Sequence, residues 1–342
     1  MKIEDIAKIA EVSTSAVSLA LNGKKGVSEK TRTKILKIAR ENGYISKSSN
    51  KKEASNIDTR ILRFIACTNA GIVNQQYQAL PFFMELMKNI DKYTITSGYS
   101  LTVSSVDITN LREEIIKIEQ EQKSAGILLL GTNLTADQIK IFAEIQPNLV
   151  VLDTCYDTLN VNFVLMNNIF GAYQAGKHLY ELGHKNIGYV ASDVRMYNFD
   201  MRKKGFLQAI SEQGLKISEN NFYTISPTEV TSQESFKEKI LKNLEHLPTA
   251  FFCECDYMAI SVIKSLQELG LKVPEQVSVI GFDNILESQV ITPELDTINV
   301  KKDKIALFAV EKLVKQIENN ESEKIKLFID TELIKRKSCA PA

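Results

Sequence analysis

Apolar residues within the first 45 positions recur at helical spacing in three short segments. Ser13 and Ser28 stand just before the second and third segments, where a serine hydroxyl caps a helix. An Asn-Gly pair follows each of these two segments. The pattern therefore predicts three helices around one small core. The predicted core positions are Ile3, Ile6, Ala7 and Ala10; Ala16, Val17, Ala20 and Leu21; and Ile35, Leu36, Ile38 and Ala39.

From Arg60 onward, short apolar runs alternate with helical patterns. Such alternation is typical of parallel sheets covered by helices on both faces. Two series follow one another, so we predict a bilobed α/β body with two doubly wound parallel sheets. A ligand then belongs at the carboxyl ends of the strands, in the crevice between the lobes. The strand-like runs include RILRFIAC, GILLLG and NLVVLD in the first series and NIGYVAS, TAFFCE and VSVIGFD in the second.

Between these parts, residues 46–59 are rich in Ser, Lys and Asn and poor in apolar residues, which is typical of a linker. The predicted domains are therefore a helical head at 1–45, the linker, and a body at 60–342. The formal net charge of zero is unevenly distributed. Between Met1 and Arg60, thirteen Lys and Arg residues stand against seven acids, so the head is basic and the remainder acidic. That division is typical of a nucleic-acid-binding module fused to another domain.

Membrane and secretion signals are absent from the sequence. No apolar run approaches the roughly 20 residues that span a bilayer, and acids interrupt the N-terminal segment where a signal peptide needs an apolar core. We therefore expect a cytoplasmic protein with no membrane partner. The five cysteines are odd in number and scattered, which indicates buried, reduced thiols rather than a disulfide framework.

The first two predicted helices are joined by the short connection AEVS, which predicts a helix-turn-helix. This motif presents its second helix to the major groove of DNA. Small and hydroxylated residues at the start of that helix let its backbone approach bases and phosphates closely. A three-helix bundle without a ligand is the alternative that the same periodicity permits.

The segment IEDIAKIAEVSTSAVSLALNGKKGVSEKTRTKILKIARENGYI resembles the N-terminal domain of the LacI/GalR family of bacterial repressors. The resemblance extends into the body through HLYELGHKNIGYV, RKKGFLQAI and DYMAISVIKSLQELGLKVPEQVSVIGFDN. It implies binding to double-stranded operator DNA. Leu19 stands where many family members have Arg, so it cannot make the bidentate guanine contact of an Arg. The residues implied to contact DNA, or to support that contact, are Ser13, Thr14, Ser15, Ser18, Leu19, Asn22 and Thr31.

The linker departs from the family pattern. Family members usually have a Pro-led hinge helix that forms on the operator and inserts a Leu into the minor groove. Ser46 stands at the Pro position and Glu53 at or near the Leu position, so we expect no hinge helix of this type. The lysines at 47, 51 and 52 then supply only electrostatic attraction, which weakens as salt rises.

For the body, the resemblance implies a periplasmic-binding-protein-like domain that forms a homodimer and binds a small-molecule effector. It places the chain's crossings between the lobes near Phe163, Pro293 and Phe328. The predicted N-lobe is about 60–162 with 293–325, and the predicted C-lobe is about 163–292 with 326–342.

Charged and aromatic residues near strand ends and helix starts are candidates for the effector pocket. Carboxylates and a guanidinium suit paired sugar hydroxyls, and aromatic rings suit the C–H face of a pyranose. Asp256 can instead cap its helix, Asp283 can hold a turn, and Arg202 can pair with Asp200. Cys255 stands where the family often has a polar Asn. The candidates are Phe82, Phe83, Asp153, Phe199, Arg202, Asp256 and Asp283.

Enzyme motifs are absent from the sequence, which has no G-x-G-x-x-G after the first strand, no P-loop and no G-x-S-x-G. We therefore expect no enzymatic activity, no cofactor and no metal site. The predicted function is repression of carbohydrate-utilisation genes, with operator binding controlled by a small sugar. One alternative is a regulator that responds to a co-repressor in purine or global carbon control. Another is a solute-binding protein without a regulatory role.

Overall fold

The predicted helical segments at the start of the chain form three helices in the computed structural model, which describes residues 3–21, 26–41, 60–73 and 80–342. The helices are α1 (Ile3–Ala10), α2 (Thr14–Leu21) and α3 (Glu29–Glu41). They share one small core, as the periodicity predicts. Its buried members are Ile6, Ala7, Ala10, Val17, Ala20, Ile35 and Ala39.

Serine hydroxyls cap the second and third helices. The Ser13 hydroxyl accepts a hydrogen bond from the Ala16 N–H at 3.1 Å, and the Ser28 hydroxyl accepts one from the Thr31 N–H at 3.2 Å. Between α1 and α2, Glu11 adopts a left-handed conformation with φ of 56°. The turn and the cap together fix where α2 begins, which confirms the predicted helix-turn-helix geometry.

Strands and helices alternate through the second compact unit of the chain, Arg60–Ala342. The first series is β1 (Ile61–Thr68), α4 (Pro81–Thr96), β2 (Ser100–Asp107), α5 (Leu111–Glu121), β3 (Gly126–Leu130), α6 (Ala136–Ile145), β4 (Leu149–Leu152) and β5 (Asn162–Met166). The second is α7 (Asn168–Glu181), β6 (Ile187–Ser192), α8 (Tyr197–Glu212), β7 (Phe222–Ile225), α9 (Glu234–Lys242), β8 (Ala250–Cys253), α10 (Asp256–Glu268), β9 (Ser278–Asp283), α11 (Glu287–Val290) and β10 (Asp296–Asn299). The chain closes with α12 (Lys302–Asn319), β11 (Lys326–Ile329) and β12 (Glu332–Ile334).

The strands form two six-stranded sheets, one in each lobe. The N-lobe sheet has the order β11-β5-β4-β3-β1-β2 with every pair parallel, and the C-lobe sheet has the order β12-β10-β9-β8-β6-β7. Only the edge strand β12 pairs in the antiparallel sense among the described C-lobe strands. Central strands such as β3 are buried along their whole length, which is why they are continuous apolar runs in the sequence. The predicted α/β class with two doubly wound sheets is confirmed.

The chain crosses between the lobes slightly later than the sequence suggested. Strand β5 extends to Met166 within the N-lobe sheet, β10 belongs to the C-lobe sheet up to Asn299, and β11 belongs to the N-lobe sheet up to Ile329. The predicted crossings near Phe163 and Pro293, and the predicted start of the last C-lobe segment at 326, are therefore corrected to positions after these strands. Strand pairing decides the boundary, and a strand's sheet partners are not visible in its own sequence.

No helix among the described residues combines the length and the apolar character needed to cross a lipid bilayer.

Candidate functional sites

The start of α2 presents short, uncharged side chains. Thr14 and Ser15 are exposed, and Ser18 and Leu19 are partly exposed, while the opposite side of the helix packs into the core of the unit. Together with the first turn of α1, these four residues line a shallow surface groove. Short side chains at this position allow a close approach of a nucleic-acid backbone or of base edges.

The other residues predicted at the DNA surface have local structural roles. Ser13 is exposed and caps α2. Thr31 is partly exposed, and its hydroxyl lies 2.8 Å from the hydroxyl of Ser28 at the start of α3. The remaining predictions for this part of the chain fall outside the described residues, namely those for Asn22 and for the linker with Ser46 and Glu53.

In the second unit, a pocket lies between the two lobes. Its walls come from the ends of strands and the starts of helices, because parallel strands in both sheets direct their carboxyl ends toward the crevice. Apolar and aromatic side chains form most of the lining, with a few convergent polar groups among them. The lining residues are Ile72, Leu80, Phe82, Phe83, Thr132, Asp153, Met196, Asn198, Phe199, Arg202, Pro227, Thr228, Cys255, Tyr257 and Asp283.

Asp153 is the N-lobe carboxylate of the pocket and directly follows β4. One oxygen accepts a hydrogen bond from Asn198 Nδ2 at 2.6 Å, and the other accepts one from the Thr132 hydroxyl. Burial raises the pKa of Asp153 to about 6, although the Thr132 hydroxyl and the charge of Arg202 act in the opposite direction. At neutral pH the group is therefore an ionised acceptor that carries a desolvation cost.

Arg202 is the pocket's guanidinium and is only 2% exposed. Its Nε donates to Asn168 Oδ1 at 2.9 Å, and its Nη1 donates to the Glu254 carbonyl at 2.5 Å. The guanidinium carbon lies 3.8 Å from the ring centroid of Phe282, close enough for a cation–π contact. These contacts hold the guanidinium in one orientation.

The remaining donor group of Arg202 faces Asp283, the last residue of β9. Arg202 Nη2 lies 3.0 Å from Asp283 Oδ1, and the two groups form a buried ion pair. Asp283 has a positive φ of 117°, and its carbonyl accepts from Lys302 Nζ at 3.0 Å. Burial raises the pKa of the Asp283 carboxyl, while Arg202 lowers it. The pocket thus contains a pre-oriented ion pair.

Six of the seven predicted effector residues line the pocket. Asp256 does not line it, so its predicted place in the pocket is corrected. Asp256 is fully buried, and its two oxygens accept hydrogen bonds from the Ile285 N–H at 3.0 Å and the Thr297 hydroxyl at 2.6 Å. Burial, and then the charge of Asp283, raise the pKa of Asp256 to about 8. Its role is to connect α10 to the backbone after β9, because both oxygens are already engaged.

The alternative pairing of Arg202 with Asp200 is also wrong. Asp200 pairs with Arg195, whose Nη2 lies 2.6 Å from Asp200 Oδ1. Two residues along a helix point to different sides, so Asp200 turns outward while Arg202 turns into the crevice. Cys255 lines the pocket and is buried, and its thiol lies 3.5 Å from the Pro227 carbonyl.

Sequence reasoning missed four polar lining residues, namely Thr132, Asn198, Thr228 and Tyr257. Asn198 lies four positions before Arg202 on α8, so helical spacing places both on one face and was a usable signal. Thr132 follows the end of β3, so the strand-end argument applied to Asp153 also reaches it. The sequence around Tyr257 did not indicate its place in the pocket, because its contact is with a residue far away in the sequence. Its hydroxyl accepts a hydrogen bond from the Phe82 N–H at 3.1 Å.

Hydrogen bonds connect the lobes around the pocket. Asn198 of the C-lobe donates to Asp153 of the N-lobe, and Tyr257 of the C-lobe accepts from Phe82 of the N-lobe. At the rim, Asn133 Nδ2 donates to the Arg195 carbonyl at 3.1 Å. The lobes are therefore closed over the pocket, and a ligand that lies there touches both of them.

Comparison with known proteins follows the same two-part division. Residues 2–47 match the family described as bacterial regulatory proteins, lacI family, and residues 177–339 match the periplasmic binding protein-like domain. The chain is 30% identical to the HTH-type transcriptional repressor PurR of Aliivibrio salmonicida, over 98% of both chains. It is 28% identical to the ribose operon repressor of Haemophilus influenzae, again over 98% of both.

Solved structures give the same fold. The lac repressor dimer bound to operator and the anti-inducer ONPF superposes with a TM-score of 0.73 at 20% identity, over 99% of both chains. The relatives are named as transcriptional repressors, which agrees with the expectation that the chain is not an enzyme.

Proposed function

We propose a small sugar as the ligand of this chain, which belongs to the LacI family of bacterial regulatory proteins and is a DNA-binding transcriptional repressor under ligand control. The observation that carries the proposal is the polar set of the pocket. Two carboxylates, Asp153 and Asp283, and one fixed guanidinium, Arg202, converge within an aromatic lining.

A sugar matches this set group by group. Each sugar hydroxyl both donates and accepts, so one pair of hydroxyls can donate to carboxylate oxygens and accept from a guanidinium. Asp153 and Asp283 both line the pocket, so their carboxylates are the acceptors that such a pair of hydroxyls would meet. The rings of Phe82, Phe83 and Phe199 offer apolar faces to the C–H groups of a pyranose.

Charge argues against a phosphorylated ligand. Among the described lining residues, two are acids and one is a cation, so a phosphate would meet a net negative surface. The lining is mostly apolar and aromatic with a few polar groups, which is typical of small-molecule sites. A neutral, hydroxyl-rich molecule is therefore the best fit.

In the same proposal, the exposed residues of α2 contact operator DNA. Thr14, Ser15, Ser18 and Leu19 face base edges, and Ser13 and the N-terminus of α2 lie against a phosphate. Two heads of a homodimer contact two half-sites of a palindrome about one helical turn apart. Ligand binding between the lobes changes the separation of the heads, so operator affinity and ligand affinity are coupled reciprocally.

The second candidate ligand is a purine co-repressor. Relatives named PurR are 28–31% identical to the chain, and a carboxylate with a guanidinium can also pair with the polar edge of a nucleobase. The two candidates predict effects of opposite sign, since an inducer loosens operator binding and a co-repressor tightens it.

Fluorescence anisotropy with a palindromic operator, selected from genomic DNA by the protein itself, tests the proposal. We expect one or more mono- or disaccharides to weaken operator binding about tenfold or more, corresponding to a typical coupling of more than about 1 kcal/mol. Purine nucleobases serve as the competing set. If a nucleobase tightened operator binding and no sugar had an effect, the proposed ligand would be a purine and not a sugar.

Asp153 supplies a pH-dependent prediction. Its pKa is about 6 in the folded chain against 3.8 for the reference carboxyl. Between these values the folded state binds more protons than the unfolded state, so this group's contribution to the free energy of unfolding falls as pH rises and is fully lost above pH 6. We therefore expect Asp153→Asn to be more stable than the parent at pH 8, by about 3 kcal/mol at most, with a clearly smaller difference at pH 4.5 that disappears only below the unfolded pKa of 3.8.

Thermal unfolding of the ligand-free protein at pH 4.5 and pH 8 measures this difference. The surface substitution Asp137→Asn is the matched control, because that carboxylate is exposed and paired with Lys140. The control has no stabilising effect at pH 8. A gain for Asp153→Asn that is equal at both pH values would show that burial of its charge is not the cause.

A further inference from the structure

A second cluster of polar side chains lies in the C-lobe, and none of its members lines the ligand pocket. His178 comes from α7, Asp296 begins β10, and Cys339 belongs to the segment after β12. One ligand-type atom from each residue, an imidazole nitrogen, a carboxylate oxygen and a sulfur, lies within 4.8 Å of the other two. Three different elements thus bring three metal-binding side-chain types to one point.

The imidazole is buried with a nitrogen that lacks a hydrogen bond. The side chain of His178 is 5% exposed, and its Nε2 makes no hydrogen bond within the described residues. The nearest charged oxygen, Asp296 Oδ2, is 3.6 Å away, which is too far for a hydrogen bond. A buried polar atom without a partner has a free-energy cost. His178 Nε2 lies close to the carboxylate and the thiol, and an ion bound between the three groups would remove that cost.

The carboxylate of Asp296 is held in a fixed orientation. Its Oδ1 accepts hydrogen bonds from the Ser338 N–H at 3.0 Å and the Cys339 N–H at 3.3 Å. This leaves Oδ2 directed toward the imidazole. A metal-binding carboxylate is commonly supported in this way, with one oxygen fixed by hydrogen bonds and the other free to coordinate.

We propose that His178, Asp296 and Cys339 bind a zinc ion. Nitrogen, carboxylate oxygen and thiolate sulfur are the donor types that zinc uses, with bonds of about 2.0–2.3 Å. Two donors of a tetrahedral zinc lie about 3.3–3.6 Å apart at these bond lengths, and His178 Nε2 and Asp296 Oδ2 are already 3.6 Å apart. The Cys339 sulfur lies within 4.8 Å of both other donor atoms and moves toward them when the ion binds. A water would complete the four ligands of a tetrahedral zinc ion.

The metal would connect α7, β10 and the C-terminal segment. That segment is already attached to the lobe, since the Ala340 carbonyl accepts from the His184 ring and the Cys339 thiol lies 3.4 Å from the Val279 carbonyl. Zinc therefore acts on the stability of the C-lobe. The proposal is independent of which ligand the pocket binds.

Untagged full-length protein, dialysed first against zinc and then against metal-free buffer, tests the site by elemental analysis. We expect about one zinc ion per chain and a melting temperature about 5 °C higher with zinc than after chelation. Cobalt substitution gives a second readout, because a thiolate ligand produces an intense ligand-to-metal band in the near ultraviolet. That band should be absent from Cys339→Ser.

His178→Gln and Asp296→Asn are expected to lower the zinc content at least tenfold, and circular dichroism checks that they fold. His246→Ala is the matched control, since it removes an exposed imidazole outside the cluster and should retain the metal. His178→Gln keeps the test decisive if Cys339→Ser does not fold. The proposal would be overturned if the parent protein retained no zinc or showed no cobalt–thiolate band. It would also be overturned if His178→Gln retained as much metal as the parent.

Discussion

Replacing Arg202 with alanine abolishes the effect of the ligand on operator binding and lowers the free energy of unfolding by about 3–5 kcal/mol. The guanidinium is buried, makes two hydrogen bonds to the C-lobe and lies 3.0 Å from Asp283 Oδ1. Its removal leaves the Asp283 carboxylate buried without its ion-pair partner in the pocket. The loss of stability and the loss of ligand response therefore have one structural origin, but they can be separated.

The double variant Arg202→Ala with Asp283→Asn separates them. Because it removes the unpaired charge as well, it should recover much of the lost stability and none of the ligand response. Chemical denaturation measures the first quantity, and anisotropy titration of the operator with and without ligand measures the second. Arg112→Ala is the matched control, since that side chain is about half exposed and pairs with Glu144 on the surface. A full ligand response in the Arg202→Ala variant would remove this residue from the proposed site.

Replacing Ser15 with glutamate lowers operator affinity by about 100-fold or more and leaves ligand binding unchanged. Ser15 is exposed in the first turn of α2, where we propose that the helix enters the groove. A carboxylate there meets the phosphates, yet an acid in the first turn favours the helix itself. The substitution should therefore weaken DNA binding without destabilising the helix, so a loss of operator affinity cannot be attributed to unfolding.

Anisotropy titrations at several salt concentrations measure the change in operator affinity, and calorimetry of the sugar that weakens operator binding measures ligand binding. Thr33→Glu is the control, because it adds the same charge at an exposed position of α3 in the same unit. We expect the control to lower operator affinity by less than about fivefold. Equal losses for the two variants would indicate a general charge effect and not a contact of α2 with DNA.

Much of the fold could be predicted because it follows from local periodicity. The stripe of Val17 and Ala20 predicted the buried side of α2, and the run GILLLG predicted a strand buried on both faces, which β3 is. Positions at strand ends were also informative, since Asp153 and Asp283 both line the pocket. Such positions could be predicted because parallel sheets place their carboxyl ends at a common edge.

The partners of the charged residues could not be predicted in this way. Arg202 pairs with Asp283 and not with Asp200, and Asp256 is engaged by Thr297 and the Ile285 backbone. In each case the partner is remote in sequence, and the choice depends on which groups the packed lobes bury together. Desolvation makes an unpaired buried charge costly, so the partner is selected by the completed fold.

By itself, the sequence determined the three-helix head, the alternation of strands and helices, and the residue types available at the strand ends. Those features depend on side chains a few positions apart, whose spacing is fixed by the geometry of one helix or one strand. Only the tertiary structure decided where the chain crosses between the lobes, which carboxylate lines the pocket and that His178, Asp296 and Cys339 meet. These depend on contacts between distant segments, whose free energy exists only once both lobes are packed.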